Sequence, residues 1–265
     1  MEYSEIRYEA VERHVARITL CRPTRLNAYT PRMCDEIVDA LGAYRDDDDL
    51  RCLILTGEGR GFCAGADIRD WDRVEVAQLQ LGHSRDMRDG MHKVALAMKA
   101  LDKPTIAMVN GPAVAGGLTL SLLCDFRIAG EDAILGDTSG RLALLPDEGG
   151  AWLFPRFMGM DRALRMVLLS ETYPARRALE VGLVTEVVAQ PELADRSLAF
   201  AREIAAKAPI TVRLAKTLLV AGAGDTLEHS LQDARLAVMI SNETEDAIEG
   251  VQAFAEKRPP EFQGR

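Results

Sequence analysis

The spacing of apolar residues divides the chain into short strand-like and longer helix-like runs. Ile6 to Leu20 alternates apolar and polar positions, the period of a half-buried strand, and Glu12-Arg13 splits it into a pair. Between Asn27 and Tyr44, Met33, Ile37, Val38 and Leu41 recur at helical spacing, with Thr30-Pro31 as a natural start. Leu50 to Leu55 and Thr105 to Val109 are continuous apolar runs that predict buried strands, the second set off by Lys103-Pro104. Arg69 to Leu101 is charged and mostly helical, with Gly82 and Gly90 as weak points, and Leu118 to Leu123 is apolar enough for a buried helix. Phe126 to Ala129 and Ala133 to Leu135 predict short strands around Gly130-Glu-Asp132. Helices follow at Trp152 to Met158, Arg162 to Leu169 and Ala175 to Glu180, then a strand at Leu183 to Val188.

From about Glu192 the pattern becomes almost wholly helical. Leu193 to Ala208, Ile210 to Ala221, Thr226 to Ser241 and Thr244 to Glu256 carry apolar residues three and four apart. That change of period predicts an α/β core over residues 1–195 and a helical region over 196–265.

Composition narrows the function classes. With 265 residues, 48% hydrophobic and 28% charged, the chain is long enough for a sizeable core and has an ordinary globular balance. A net charge of −9 without a basic cluster argues against nucleic acid. No apolar run approaches the roughly eighteen residues of a membrane span, and Met1-Glu-Tyr-Ser-Glu lacks the pattern of a signal peptide. Cys21, Cys34, Cys52, Cys63 and Cys124 are odd in number and form no Cys-x-x-Cys pair, so a reducing, cytoplasmic setting is expected. His14, His83, His92 and His229 are scattered along the chain and predict no metal site; Asp46 to Asp49 reads as a solvated loop.

Two small-residue turns carry the candidate chemistry. Asn110-Gly-Pro-Ala-Val-Ala-Gly-Gly-Leu-Thr119 follows one predicted buried strand, and Gly61-Phe-Cys-Ala-Gly-Ala-Asp67 follows another. A strand, a turn without bulky side chains and a helix present backbone N–H groups at the helix start, which suits an anion or a developing oxyanion. Singly, either turn is as well explained by tight packing.

Together the turns resemble the oxyanion hole of the crotonase (enoyl-CoA hydratase/isomerase) superfamily. Arg22-Pro-Thr-Arg-Leu-Asn-Ala28 is similar to its early CoA-binding segment, Pro146-Asp-Glu-Gly-Gly150 to its second catalytic loop, and Phe254-Ala-Glu-Lys-Arg-Pro259 to its C-terminal signature. The resemblance covers nearly the whole chain. It implies an α/β spiral of strand-strand-helix turns with a helical C-terminal extension that assembles into a homotrimer or hexamer. It implies an acyl-CoA thioester substrate and no further cofactor, since CoA belongs to the substrate.

By the same resemblance the N–H groups of Ala66 and Gly116 face the thioester oxygen. CoA lies along the backbone of Ala64 and Ala66, with Arg25 and Lys257 near its phosphates, Lys257 from a neighbouring subunit or simply solvated. Gly117, Thr119 and Ser139 border the substrate, and Asp67 caps the first turn. Hydratases of the family hold a water between two glutamates; the matching positions here are Thr119 and Ser139, whose hydroxyls hold their protons too tightly to act as bases. The acid offered instead is Asp147, with Glu148 beside it, where double-bond isomerases of the family place a catalytic aspartate. Asp147 also reads as a plain helix cap before Glu148-Gly-Gly. Leu144, Leu145 and Trp152 are expected to form an apolar wall around it.

The first reading is therefore enoyl- or dienoyl-CoA isomerisation with Asp147 as proton shuttle and Glu148 in reserve. The spacing of Ala66, His92, Gly116 and Asp147 is also similar to a dehalogenase branch, with Asp147 as nucleophile and His92 activating water, although that branch has a tryptophan where this chain has Ser139. Simple thioester hydrolysis, an atypical hydratase and a non-catalytic acyl-CoA-binding homologue remain as alternatives.

Overall fold

A computed structural model describes residues 3–68 and 84–265. The pair predicted at the start forms an antiparallel hairpin, β1 (Ile6–Glu12) and β2 (Val15–Leu20), irregular between Ala10 and Glu12. Helix α1 (Pro31–Asp46) starts where Thr30-Pro31 suggests. Leu26 and Asn27 adopt left-handed backbone (φ 49° and 55°), and Tyr29 pairs with Ala66 in an isolated bridge, so the chain turns before it coils. Thr30 caps the helix by accepting from the Met33 amide at 3.0 Å, with Pro31 in its first turn.

Strand β3 (Cys52–Gly57) is buried along its whole length, as a central parallel strand must be. Residues 69–83, the first part of the charged stretch and including Gly82, lie outside the described residues. Residues 84–89 are helical, Gly90 interrupts them, and α2 (Met91–Ala100) follows. Next come β4 (Thr105–Val109), β5 (Ala113–Val114), α3 (Gly116–Leu122), β6 (Phe126–Gly130) and β7 (Ile134–Gly136). Helices α4 (Gly150–Met158) and α5 (Met160–Leu169) lead to β8 (Thr172–Pro174), α6 (Ala175–Glu180) and β9 (Glu186–Val188). The strand expected from Leu183 is shorter at its start: Leu183 and Val184 are buried in the preceding loop, where the Leu183 carbonyl accepts from Arg127 Nε at 2.9 Å.

Among the described residues the main sheet runs β1-β2-β3-β4-β6-β9, parallel beyond the first hairpin. A second sheet runs β5-β7-β8. Successive strands thus alternate between two layers: β4 then β5, β6 then β7. The Cys63–Ala113 bridge adds the segment after β3 to the same pattern. This is the strand-strand-helix spiral, invisible as a sequence repeat because only its backbone pairing repeats.

Alternate residues of each central strand enter opposite cores. Leu53, Leu55, Ala107 and Val109 face the larger one with Met33, Ile37 and Leu41 of α1. Cys52, Ile54, Ile106 and Ile128 face a smaller one closed by Leu193, Ala201 and Ala205 of α7 (Leu193–Ala205). Helix α7 stops before the predicted Ala208 because Pro209 starts α8 (Pro209–Gly222). The last two helices, α9 (Leu227–Asn242) and α10 (Glu245–Glu256), are each capped by a threonine, Thr226 and Thr244. None of the described helices is long and apolar enough to cross a membrane.

Candidate active site

The two small-residue turns lie against one another because Cys63 and Ala113 pair in register. The Cys63 amide donates to the Pro112 carbonyl and the Val114 amide to the Cys63 carbonyl, both at 3.1 Å. Two residues further on, Gly65 (φ 91°) packs so closely that a Cβ there would stand 3.1 Å from Ala115 Cβ and 3.3 Å from the Gly116 nitrogen. At Gly117 a Cβ would meet the Cys63 carbonyl oxygen at 2.0 Å, so glycine is needed for the approach itself.

Peptide geometry fixes where the two candidate amides point. A trans peptide directs its C=O and the next N–H in opposite senses. The Gly65 carbonyl accepts from the Tyr29 amide at 2.9 Å, so the Ala66 N–H points away from the Tyr29 strand, on the side of the Ala115 turn. The Ala115 carbonyl accepts from Leu118 and Thr119 inside α3, so the Gly116 N–H points out of the helix start. Ala115 holds that peptide with φ 50° and ψ −126°, a combination L-residues seldom adopt and one that costs on the order of 1–3 kcal/mol.

A cavity of about 230 Å³ opens at this junction, lined by Ala64, Ala66, Asp67, Ser139, Asp147 and Glu148 among others. Tyr29, Ala115, Leu144 and Leu145 also border it. It therefore gathers most of the residues singled out in the sequence. The amide of Ala64 is already engaged with the Leu26 carbonyl at 3.0 Å, which leaves its carbonyl for a ligand. Asp67 is not a simple turn cap: its carboxylate pairs with Arg22 Nη2 at 2.8 Å, and Arg22 also reaches the Ala28 carbonyl and Glu5. Arg22, not Arg25, is thus the arginine built into the site. Arg25 is exposed on a short 3-10 turn, and Lys257 is exposed at the left-handed C-cap of α10; neither lines the cavity.

The acids occupy distinct environments. Thr119 is fully buried in α3 and its Oγ1 has no hydrogen-bond partner; Ser139 is buried at the start of a 3-10 turn, its amide donating to Asp137 Oδ1 at 2.9 Å. Asp147 is half-buried on the turn before α4. The cap reading of Asp147 fails, since the N-cap of α4 is Gly149 (φ 112°) without a side-chain bond. Glu148 is 5% exposed; its Oε1 accepts from the Tyr29 hydroxyl at 2.9 Å and its Oε2 is buried without a partner. Burial pushes the Glu148 carboxyl up to about 7, with the nearby charges of Asp147 and Asp137 adding to the rise. Burial and the Glu148 charge raise Tyr29 further still, so its phenol remains a donor.

Tyr29 and Arg22 escaped the sequence reading. Tyr29 follows the Arg22 to Ala28 segment and looks like an ordinary core aromatic; only its bridge to Ala66 brings it to the acids. Asn27, buried beside it, ties that segment down through Nδ2 to the Gly61 carbonyl at 2.8 Å. His92, on α2, is bound through Nε2 to the Asp147 backbone carbonyl at 2.8 Å, so this nitrogen is a donor to the loop main chain. Trp152 leaves the expected apolar wall. It borders a separate groove of about 730 Å³, stacked between Lys99 at 4.7 Å and Arg156 at 3.8 Å.

Contrary to the expectation that no histidine pairs with clustered carboxylates, His229 of α9 lies beside Asp233 of the same helix and Asp225 just before its N-cap, with ligand atoms within 4.8 Å of one another. None of the three lines the cavity.

Comparison with known proteins gives a consistent picture. A family model described as enoyl-CoA hydratase/isomerase matches residues 10–265. The (E)-benzylidenesuccinyl-CoA hydratase of Thauera aromatica is 36% identical over 255 residues, covering 96% of this chain and 97% of its own. The 1,2-epoxyphenylacetyl-CoA isomerase of Escherichia coli is 36% identical over 256 residues, with the same coverage of 96% and 97%. The crystal structure of an enoyl-CoA hydratase from Bacillus anthracis superimposes with a TM-score of 0.93 at 35% identity, covering 99% of this chain and 100% of that one.

Proposed function

Because the chain belongs to the enoyl-CoA hydratase/isomerase family, we propose that it isomerises a double bond in an acyl-CoA thioester, with Asp147 as the proton shuttle. The observation that carries this reading is the placement of acids around the cavity. Among its described lining residues the carboxylates are Asp67, Asp147 and Glu148, and the last two share the loop that resembles the family's second catalytic loop. The positions of the family's two glutamates hold Thr119 and Ser139.

The thioester carbonyl enters between the Ala66 and Gly116 amides. The Asp147 carboxylate takes a proton from the carbon α or γ to it; the C–H electrons move into the chain, and the charge arrives on the thioester oxygen. Two amides already aimed at that oxygen stabilise the enolate as it forms, and removing one such donor typically costs about 3–4 kcal/mol. Protonated Asp147 then returns the proton at a carbon further along or nearer. No water enters the balance.

A second reading is favoured by one feature. Glu148 sits close to neutrality, where a group that both takes and gives a proton works best, which supports hydration with Glu148 handling the water. The hydrolase and dehalogenase alternatives receive less support, because His92 spends Nε2 on the Asp147 carbonyl.

The test is mass spectrometry of 2-enoyl, 3-enoyl, dienoyl and aryl CoA thioesters incubated with the protein in D₂O. Deuterium incorporated without added water, and lost in Asp147→Asn, is the expected result. Addition of water that survives Asp147→Asn and stops in Glu148→Gln would replace isomerisation by the second reading, and free CoA would overturn both.

A further inference from the structure

Asp147 suffices for the shuttle, which leaves the most unusual group in the cavity without a task. Glu148 is nine-tenths buried, one oxygen is held and the other is not. Its position is built: a Cβ at residue 116 would stand 2.6 Å from Glu148 Oε1 and 2.7 Å from Tyr29 Cε1, so Gly116 makes room for the pair as well as lending its amide. We propose that Glu148 is a hydrogen-bond donor to the substrate, and that the acyl group this site takes carries an accepting oxygen close to the reacting carbons.

The donor assignment follows from the hydrogen-bond inventory. The Tyr29 phenol donates to Oε1, so that oxygen is the acceptor of the carboxyl and the acid proton belongs on Oε2. Among the described residues, the groups that act most on Glu148 are Tyr29, Asp147 and Asp137, with Cys63 beside them; none of these is cationic, and burial raises the Cys63 thiol to about 12. Nothing there favours the carboxylate except the Tyr29 hydroxyl and the Glu148 amide. Below about pH 7 Glu148 is mostly the neutral acid, and a neutral acid can donate where a carboxylate only accepts. A hydrocarbon chain would leave the Oε2 hydrogen unpaired in a dry site. An ether, epoxide, hydroxyl or carbonyl oxygen near the second or third carbon would satisfy it, for a preference of about tenfold. Tyr29 is a positioning residue: it fixes which oxygen carries the proton.

The inference rests on the acyl-thioester reading above, and a binding experiment separates the two. Calorimetric titration with hexanoyl-CoA and 3-oxahexanoyl-CoA compares two thioesters that differ by one ether oxygen and have no double bond to move. The native protein is expected to bind the ether about tenfold tighter at pH 6, with the preference fading between pH 6 and 8.5 as Glu148 ionises. Glu148→Gln, which keeps an N–H donor, should retain a preference that no longer changes with pH; Glu148→Ala should bind both thioesters equally. Tyr29→Phe, by removing a bond that favours the carboxylate, should move the pH at which the preference fades upward. Equal binding of the two thioesters by the native protein at pH 6, or a preference that survives Glu148→Ala, overturns the proposal and leaves the acyl-thioester reading standing. Binding of neither thioester overturns both.

Discussion

Replacing Glu148 by glutamine should remove a loss of stability that the native protein suffers between about pH 4.5 and 7. The folded-state carboxyl lies near 7 against a reference of 4.5. Since the folded value is the higher, the fold holds a proton that the unfolded chain has released between those two values. Stability therefore falls as pH rises through the window from about 4.5 to 7 and is level above it. At about 1.4 kcal/mol for each decade of acidity, the loss is on the order of 3 kcal/mol. Glutamine has nearly the same shape, can accept from Tyr29 at the same oxygen, and cannot ionise. Urea unfolding at one fixed protein concentration, repeated from pH 4.5 to 8.5, gives both curves. Their difference isolates this site, because every other titrating group is common to both proteins. The variant should gain on the native protein by up to about 3 kcal/mol across the window. Parallel curves, or a gap that widens toward acid, would show that Glu148 ionises freely in the fold and would remove the basis for treating it as a neutral acid.

Other expectations can be measured alongside. Gly116→Ala forces a methyl against Glu148 and Tyr29, and overpacking of this kind should destabilise by about 1–3 kcal/mol and lower kcat on any thioester that turns over. Asp125 accepts from the Thr105 amide at 2.8 Å and from Lys216 Nζ at 2.7 Å; Asp125→Ala strands both, and the urea midpoint should fall by the equivalent of about 2–4 kcal/mol. Burial holds Cys34, Cys52, Cys63 and Cys124 up to about 12, so Ellman's reagent at pH 8 should titrate at most Cys21 until denaturant is added. More than one rapidly reacting thiol in the native protein would contradict that placement. Arg22→Ala removes the ion pair to Asp67 and the bond to the Ala28 carbonyl at the cavity rim, and should raise KM more than it lowers kcat.

The core strands were readable because continuous apolar runs such as Cys52 to Thr56 have few other uses, and the helices because their caps were explicit. Thr30, Thr226 and Thr244 all cap as their positions suggest. Apolar spacing could not register the left-handed Asn27, held by distant carbonyls, that precedes the Thr30-Pro31 start. The glycine turns announced themselves, but their mutual placement depends on the Cys63–Ala113 pairing, which has no sequence period. Asp147 stood out by motif and Glu148 only as the reserve beside it, since the character of Glu148 comes from burial and from Tyr29, a contact across 119 positions of chain. Arg22 and Arg25 were indistinguishable by type, and only the direction of the turn between them decides which faces inward.

The strained peptide between Ala115 and Gly116 has a bearing on how such a site can change over time. In the proposed reaction its working atom is a main-chain hydrogen, as at Ala66; mutation exchanges side chains and leaves both in place. The acids, by contrast, come from a separate turn after β7 and can be swapped one codon at a time. The arrangement works as a fixed vice with exchangeable jaws. A lineage can drop its glutamates at the positions of Thr119 and Ser139, acquire Asp147 and Glu148, and try new reactions on activated thioesters without rebuilding the part that activates them.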